Sequence, residues 1–410
     1  MKKPNARYIC AAFEQMENHS SRLNFNDTEV AFRYKNDSEM TRAHFIFSVV
    51  NHPWVSSLGT GLVRLALFLR LPVTPLLRNT VFRHFCGGET ITESRKLIDK
   101  LGEFNVQTIL DYAVEGEKSE HGFDTTCDEV LATFDEATRS SFIPFCVFKV
   151  TGMADMALLE KIQARMSLSG EEQNAFDRVR NRIERICEKA SATGIPVMVD
   201  AEETWIQDPI DELAFDMMKK YNTEKAVVYF TCQMYRRDSP DRLKKAAERA
   251  AENGYFLGVK MVRGAYMEKE RVRAEQNGYP DPIWPDKSST DKAFDDGLRF
   301  CLTQKELIHL VCGSHNEESN RLLAELIESK RPNHHANTVW FSQLLGMSDH
   351  ISFNLARSGY QVVKYVPFGP VRSVVPYLLR RAEENTSVAG QSSRELTLIR
   401  KEVARRRRSS

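Results

Sequence analysis

From residue 106 onward, short and nearly continuous apolar runs alternate with longer stretches in which apolar positions recur every three or four residues. The runs are VQTILDYAVE, FIPFCVFKV, IPVMVD, KAVVYFTCQ, FLGVKMV, LIHLVCG, TVWFSQL and YQVVKYV. Rich in β-branched and aromatic residues, they predict eight strands, several of them covered on both faces. The stretches between predict helices. In the second connection Ser169 and Glu172 fit a capping box, and Phe176, Val179, Ile183, Ile186 and Ala190 follow at helical spacing before Gly194. One face of that helix is built to lie on a sheet. Strand starts recur about every 36 residues over roughly 280 residues, which fits a (β/α)8 barrel better than a doubly wound sheet of five or six strands. The fold class expected is α/β, a (β/α)8 TIM-type barrel over residues 106–386.

Residues 1–105 are mainly helical in pattern, broken at Pro53, Pro72, Pro75 and Gly87-Gly88, and predict an N-terminal helical arm. Its most apolar stretch, Leu62 to Leu71, carries Arg64 and Arg70 and is far short of the roughly 20 residues that span a bilayer. A buried helix is expected there, with a helix on lipid headgroups as the alternative. Residues 387–410 form a polar basic tail ending in Arg405 to Arg408, expected as a solvated end, the alternative being contact with anionic lipid.

Composition narrows the classes further. With 410 residues, 42% of them hydrophobic, the chain has enough apolar material for one large core. The 57 basic and 56 acidic residues balance, so no global field recruits nucleic acid. Eight cysteines without a CxxC pair suggest free thiols in a reducing compartment. Glu14 and Glu17 make the N-terminus a poor secretory or mitochondrial leader, so a cytoplasmic protein is expected ahead of one in a mitochondrial matrix.

Active sites of such barrels lie at the C-terminal ends of the strands. The polar residues closing the apolar runs are Glu115, Lys149, Asp200, Gln233, Lys260 with Arg263, His315 with Asn316, Gln343, and Tyr365. Any one of these could simply begin a solvated loop; a whole ring is harder to dismiss. Lys149, Lys260 and Arg263 bring cations to one mouth, matched by Asp200 with Glu202 and Glu203 after it, and suit a small anionic substrate or a phosphate-bearing cofactor. After the eighth run, Val374, Val375, Leu378, Leu379 and Ala382 make an apolar stripe, with Tyr377, Arg380, Arg381 and Glu384 toward the other side. Glu384 can orient either arginine. Alone, RRAEEN reads as an exposed salt-bridged helix end; directly after the last strand it predicts a last helix folded over the barrel mouth. No metal site is expected, because His334-His335 lacks HExxH or carboxylate spacing. The absence of GxGxxG and P-loop motifs argues against a nicotinamide enzyme or a kinase.

The segments KMVRGAYMEKER (260–271) and YLLRRAEEN (377–385) resemble the two most distinctive motifs of proline dehydrogenases. VDAEETW (199–205), CGSHN (312–316), FSQLLGM (341–347) and KYVPFGP (364–370) resemble its other motifs in the same order, and FCGGE and ILDYAVEG carry the likeness into the arm. The chain is similar to the monofunctional form, since 410 residues hold no second dehydrogenase domain. The resemblance implies FAD as cofactor and oxidation of L-proline to 1-pyrroline-5-carboxylate by hydride transfer from C5 to flavin N5. It also implies a quinone electron acceptor and a peripheral contact with the inner membrane. Arg380 and Arg381 are then expected to clamp the substrate carboxylate together with Lys149, which Asp200 pairs beneath them. Asp200 and Lys260 are the expected catalytic residues, and Leu345, Tyr365 and Tyr377 the pocket walls. Flavin contacts fall on Ala201, Gln233, Lys260, Arg263, Gly264, Ala265, Ser314, His315 and Glu384, with Gly264 and Ala265 small so that backbone can approach the cofactor. Lys260 stands where many bacterial relatives have arginine, which keeps the cation and removes the fork. The alternatives are a hydroxyproline dehydrogenase, which tends to lack the tyrosine at Tyr365, a flavin barrel of the methylenetetrahydrofolate reductase kind, which the Arg380-Arg381 pair argues against, and a catalytically idle membrane-associated barrel.

Overall fold

The structure is a computed structural model that describes residues 23–50, 74–114, 118–329, 338–387 and 391–409. Leu62 to Leu71, Glu115 and the His334-His335 pair lie outside the described residues, as do the side chains of Arg381 and Glu384.

All eight apolar runs form strands: β1 (Val106–Tyr112), β2 (Phe145–Phe148), β3 (Val197–Val199), β4 (Val228–Gln233), β5 (Leu257–Val262), β6 (Ile308–Gly313), β7 (Val339–Leu344) and β8 (Val362–Phe368). They pair in parallel in sequence order, and β8 closes on β1 with Tyr365 opposite Ile109 and Pro367 opposite Asp111. Each crossover carries helix, as parallel pairing demands. The capping box forms as expected: Ser169 Oγ accepts from Glu172 N at 3.2 Å and Glu172 Oε2 accepts from Ser169 N at 2.9 Å. The helix it starts, Gly170–Thr193, buries Phe176, Val179, Ile183, Ile186 and Ala190 and stops at Gly194, whose φ of +69° suits glycine.

Because side chains alternate along a strand, one set points into the barrel. Ile109, Phe145, Val147, Met198, Tyr229, Val311, Trp340, Val363 and Tyr365 form that inner cluster, separate from the layer between sheet and helices. Phe145 packs edge-on to Tyr229 and Trp340, with centroids 5.6 and 5.2 Å away. The lower barrel is therefore mainly an apolar packed core, and the charged side chains described below gather at its upper end.

The described arm is helical, including Asp37–Val50 and Ile91–Gly102. Pro75, expected as a break, stands in the first turn of the helix Thr74–Leu77, where proline is tolerated. Gly87 and Gly88 run beside β8: Gly87 N donates to Pro367 O at 2.9 Å and Gly369 N to Gly88 O at 3.2 Å. A Cβ on Gly87 would meet Val366 Cγ1 at 2.6 Å, so this close approach requires glycine. Above it, Phe82, Phe85 and Ile46 of the arm pack on Val371, Val374 and Leu378 of the mouth helix Val371–Ser387.

The solvated tail expected after residue 387 is corrected. Gln391–Ser409 is a helix that buries Leu396, Leu398 and Ile399 against Phe32, Met40 and Phe47 of the arm. Arg406 donates to the carbonyls of Phe32 and Lys35, both at 2.9 Å, and both Arg405 and Arg406 pair with the fully buried Glu402. Two of the four arginines offered for a lipid contact are thus paired within the fold, while staying partly exposed.

Candidate functional site

The polar upper end of the barrel follows from strand alternation. Two residues beyond an interior apolar position comes another interior position, and there stand Asp111 after Ile109, Lys149 after Val147, Asp200 after Met198 and Lys260 after Gly258. Tyr365 of β8 faces the same space. The five join into one network. Lys149 Nζ lies 3.3 Å from Asp111 Oδ2 and 3.2 Å from Asp200 Oδ2. Asp200 Oδ1 meets Lys260 Nζ in a short ion pair and accepts from Tyr365 Oη at 3.2 Å. Lys260 Nζ in turn donates to Tyr365 Oη at 2.7 Å and sits 4.6 Å from the tyrosine ring centroid.

Burial sets the protonation of this ring. It works to raise the Asp200 carboxyl, but Lys260 and Lys149 outweigh it and hold Asp200 below the usual carboxylate range. Asp111 is pushed up by burial, which Lys149 only partly offsets and the neighbouring Asp200 charge reinforces. Lys260 is drawn down by burial and partly sustained by Asp200. Asp111 is the member that sequence reasoning missed.

The loop after β3 is fastened by Glu202, which accepts from Thr151 N at 2.9 Å and makes a short contact with Thr151 Oγ1, while its own carbonyl accepts from Gln233 Nε2 at 2.6 Å. Burial pushes its carboxyl up to about 7 against the lowering effect of Thr151. A carboxyl raised on folding stabilises most below its unfolded pKa, and that contribution is lost as pH rises through the folded value. Glu202→Gln removes the titration. Relative to wild type, the variant should therefore gain stability between about pH 5 and 8, by roughly 2–3 kcal/mol. Parallel pH dependences of the two denaturation midpoints would contradict this.

The remaining expected residues fall in several environments. Arg263 Nε donates to Asp291 at 2.7 Å, and its Nη1 and Nη2 donate to Ser314 Oγ at 2.7 Å and Ser319 Oγ at 2.8 Å, over the Phe294 ring. Arg263 and Ser314 are thus brought together, tying the β5 and β6 ends. Gly264 has a local reason of its own: its φ is +124°, and a Cβ would meet the Tyr235 ring at 2.4 Å, so its smallness serves protein packing and not only approach to a cofactor. Ala265 is exposed and Ala201 half-buried. His315 Nδ1 lies 3.0 Å from Ser348 Oγ. Leu345 is buried, and its N donates to Tyr365 O at 2.8 Å. Asn316 caps the following helix through Ser319 N at 3.0 Å. Gln343, read as part of the mouth, instead points outward, bonding Ser314 O at 3.0 Å and Ser352 Oγ at 2.8 Å, because strand alternation gives the inward position to Ser342.

The mouth helix follows β8 as expected. Tyr377 belongs to the apolar cluster it shares with the arm, and Arg380 is half-buried. Arg380 acts electrostatically on Tyr266, whose hydroxyl is pushed up first by burial and then by Glu202 and Glu203, with Arg380 and Lys149 opposing. That places the Arg380 charge within range of the β5 end.

The pattern has known counterparts. A sequence profile described as Proline dehydrogenase matches residues 94–394. The carbapenem antibiotics biosynthesis protein CarD of Pectobacterium carotovorum subsp. carotovorum is 34% identical over 322 residues, 78% of this chain and 83% of that protein. Mitochondrial proline dehydrogenase 1 of Dictyostelium discoideum is 31% identical over 426 residues, 93% of this chain and 74% of that protein. The fold is similar to the crystal structure of proline utilization A from Bdellovibrio bacteriovorus inactivated by N-propargylglycine, with a TM-score of 0.68 and 19% identity. That likeness takes in 95% of this chain but 42% of the other, so the chain spans less than half the length of that protein. With the profile matching most of its length and the barrel closed as described, the chain belongs to the proline dehydrogenase family.

Proposed function

We propose that the chain oxidises L-proline to 1-pyrroline-5-carboxylate with FAD as cofactor and a quinone as final electron acceptor. The observation that carries this is the Asp111–Lys149–Asp200–Lys260–Tyr365 network at the barrel mouth, with the charge of Arg380 acting on Tyr266 just beyond β5.

The donor set fits FAD. Lys260 presents a buried ammonium, and Arg263, Ser314 and His315 add a guanidinium, a hydroxyl and an imidazole at the ends of β5 and β6. Such donors suit a pyrophosphate and an electron-rich ring system, and the exposed Ala265 leaves the adjoining surface low. Ala201, Gln233, Gly264 and Glu384 complete the proposed cofactor contacts. Bound there, FAD supplies the two-electron acceptor that takes the hydride from C5 of the proline ring.

The chain's own residues bind and orient. Arg380, Arg381 and Lys149 hold the substrate carboxylate, and Asp200 keeps Lys149 in place from below. Tyr365, Leu345 and Tyr377 close on the carbon side of the ring and exclude water. The substrate nitrogen, once its extra proton has passed to solvent, supplies the electron pair of the new C=N bond as C5–H leaves with its own pair as hydride; the remaining N–H proton then passes to solvent, so both electrons leave with the hydride. A quinone dissolves in lipid, so turnover calls for a peripheral membrane contact, in a bacterium at the cytoplasmic face of the inner membrane. Phe45 on the arm, 60% exposed, is a described apolar residue suited to one. No helix among the described residues is long and apolar enough to cross a membrane.

Tyr365 favours proline over hydroxyproline. Its hydroxyl is fixed by Lys260 and Asp200, so its ring cannot readily move aside for a substituent. Tyr365→Ser should raise the ratio of kcat/KM for hydroxyproline to that for proline by about tenfold, the scale of one small group in a pocket. A panel of proline, hydroxyproline and a folate with an artificial electron acceptor tests the assignment and this variant together. An unchanged ratio would remove Tyr365 from the substrate wall; turnover of the folate alone would overturn the proposal.

A further inference from the structure

Two consecutive residues of the C-terminal helix reach back to the barrel. Arg394 Nε pairs with Glu317 Oε1 at 2.7 Å, in the first turn of the helix after β6 and two residues past His315. The buried Glu395 reaches the turn after β7, where its Oε2 accepts from Ser348 N at 2.9 Å. Ser348 lies in the left-handed region, φ +53° and ψ +41°, which a residue with a side chain occupies only when its surroundings hold it. Its hydroxyl lies 3.0 Å from His315 Nδ1, and His350 completes the seam by meeting Glu317 Oε1 at 3.0 Å. His315 therefore hangs between the two turns that Arg394 and Glu395 grip. Glu395 lies just past the family match, which ends at residue 394.

We propose that Arg394 and Glu395 are positioning residues for the cofactor site: from a helix outside the barrel, Glu395 holds the Ser348 turn and Arg394 holds Glu317 at the start of the helix after β6, and between them they fix the orientation of the His315 imidazole. This rests on the reading above that His315 faces FAD. It gives the C-terminal helix a part in function beyond burying the arm. The strained Ser348 turn gives the Glu395 anchor its purpose. A turn held against its backbone preference relaxes when its N–H loses its acceptor, and the hydroxyl on His315 moves with it.

The test follows the His315 ring and cofactor affinity separately. In the FAD-loaded protein, Glu395→Ala and Ser348→Ala should each shift the imidazole nitrogen resonances of His315, and each should weaken FAD binding by about tenfold, the worth of one lost buried hydrogen bond. Glu395→Gln, whose amide oxygen can still accept from Ser348 N, should restore most of both. The double variant Glu395→Ala/His315→Ala should bind FAD no more weakly than His315→Ala alone, because both changes act through one group. His315 resonances unmoved in both alanine variants, or losses that multiply in the double variant, would overturn the proposal. Should Glu395→Ala fail to fold, Ser348→Ala, which deletes only a hydroxyl, decides by the same readouts. Shifted His315 resonances with FAD affinity unchanged in His315→Ala would support the anchoring and remove His315 from the cofactor site.

Discussion

Asp200→Asn should lower kcat/KM for proline by about 150-fold to 5,000-fold at neutral pH. Asp200 is the shared counter-charge of Lys149, 3.2 Å away, and of Lys260, and all three are largely buried. Removing one partner of a buried, hydrogen-bonded charge set costs roughly 3–5 kcal/mol, because the buried Lys260 ammonium loses the carboxylate it is paired with. Asn keeps the shape and one acceptor oxygen but not the charge. Burial already draws Lys260 down, so without Asp200 it should release its proton and no longer present a cation to the cofactor side. Lys149 keeps Asp111 at 3.3 Å, so the substrate clamp should suffer less than the Lys260 side and kcat should fall more than KM rises. Wild-type kcat/KM in a folded Asp200→Asn protein would remove the network from the mechanism.

A second large loss is expected outside the site. Asp349→Asn should destabilise the fold by about 3–5 kcal/mol. Asp349 is fully buried between Lys35 of the arm at 2.6 Å and Lys364 of β8 at 3.0 Å, with Tyr34 Oη donating to it at 2.9 Å. Burial works to raise its carboxyl, but the two lysines outweigh this and hold it well below the usual range. A carboxyl depressed on folding contributes stability above its unfolded pKa of about 3.9, and loses it as pH falls through the folded value. The gap between wild type and variant should therefore be full at neutral pH and narrow in acid. Denaturant midpoints measured from neutral pH into acid check both parts. Adding Lys364→Met to the variant should recover part of the loss, since it removes one orphaned cation.

How much of this was legible in the sequence depended on whether a feature was periodic and local. The eight strands were readable because several are covered on both faces and so nearly continuously apolar, and the rest are rich in β-branched and aromatic residues. The Ser169–Glu172 capping box was readable because its partners are three residues apart. Lys149, Asp200, Lys260 and Tyr365 were found as polar closures of apolar runs, but Asp111 lies before its run ends and was passed over for Glu115. Counting inward positions from Ile109 would have found it. Gln343 failed for the same reason in reverse, being polar and near a strand end but on the outward register. The C-terminal helix was obscured because Leu396, Leu398 and Ile399 are few among charges, and the partners of Arg405 and Arg406 include residues more than 360 positions away in sequence. Pairings of that kind leave no local period.

The measurement that bears most directly on the account is anaerobic titration of the FAD-loaded protein with L-proline, following the visible flavin absorbance. Wild type should bleach fully without any added reductant, and acid or heat should release FAD from it intact. Arg381→Met should keep its flavin yet show a kcat/KM for proline lower by about 30-fold or more, because truncating one partner of a buried carboxylate contact costs roughly 2–5 kcal/mol. A protein that binds FAD but stays oxidised in excess proline, or an Arg381→Met protein that turns proline over as wild type does, would contradict the assignment of this barrel mouth as a proline-oxidising site.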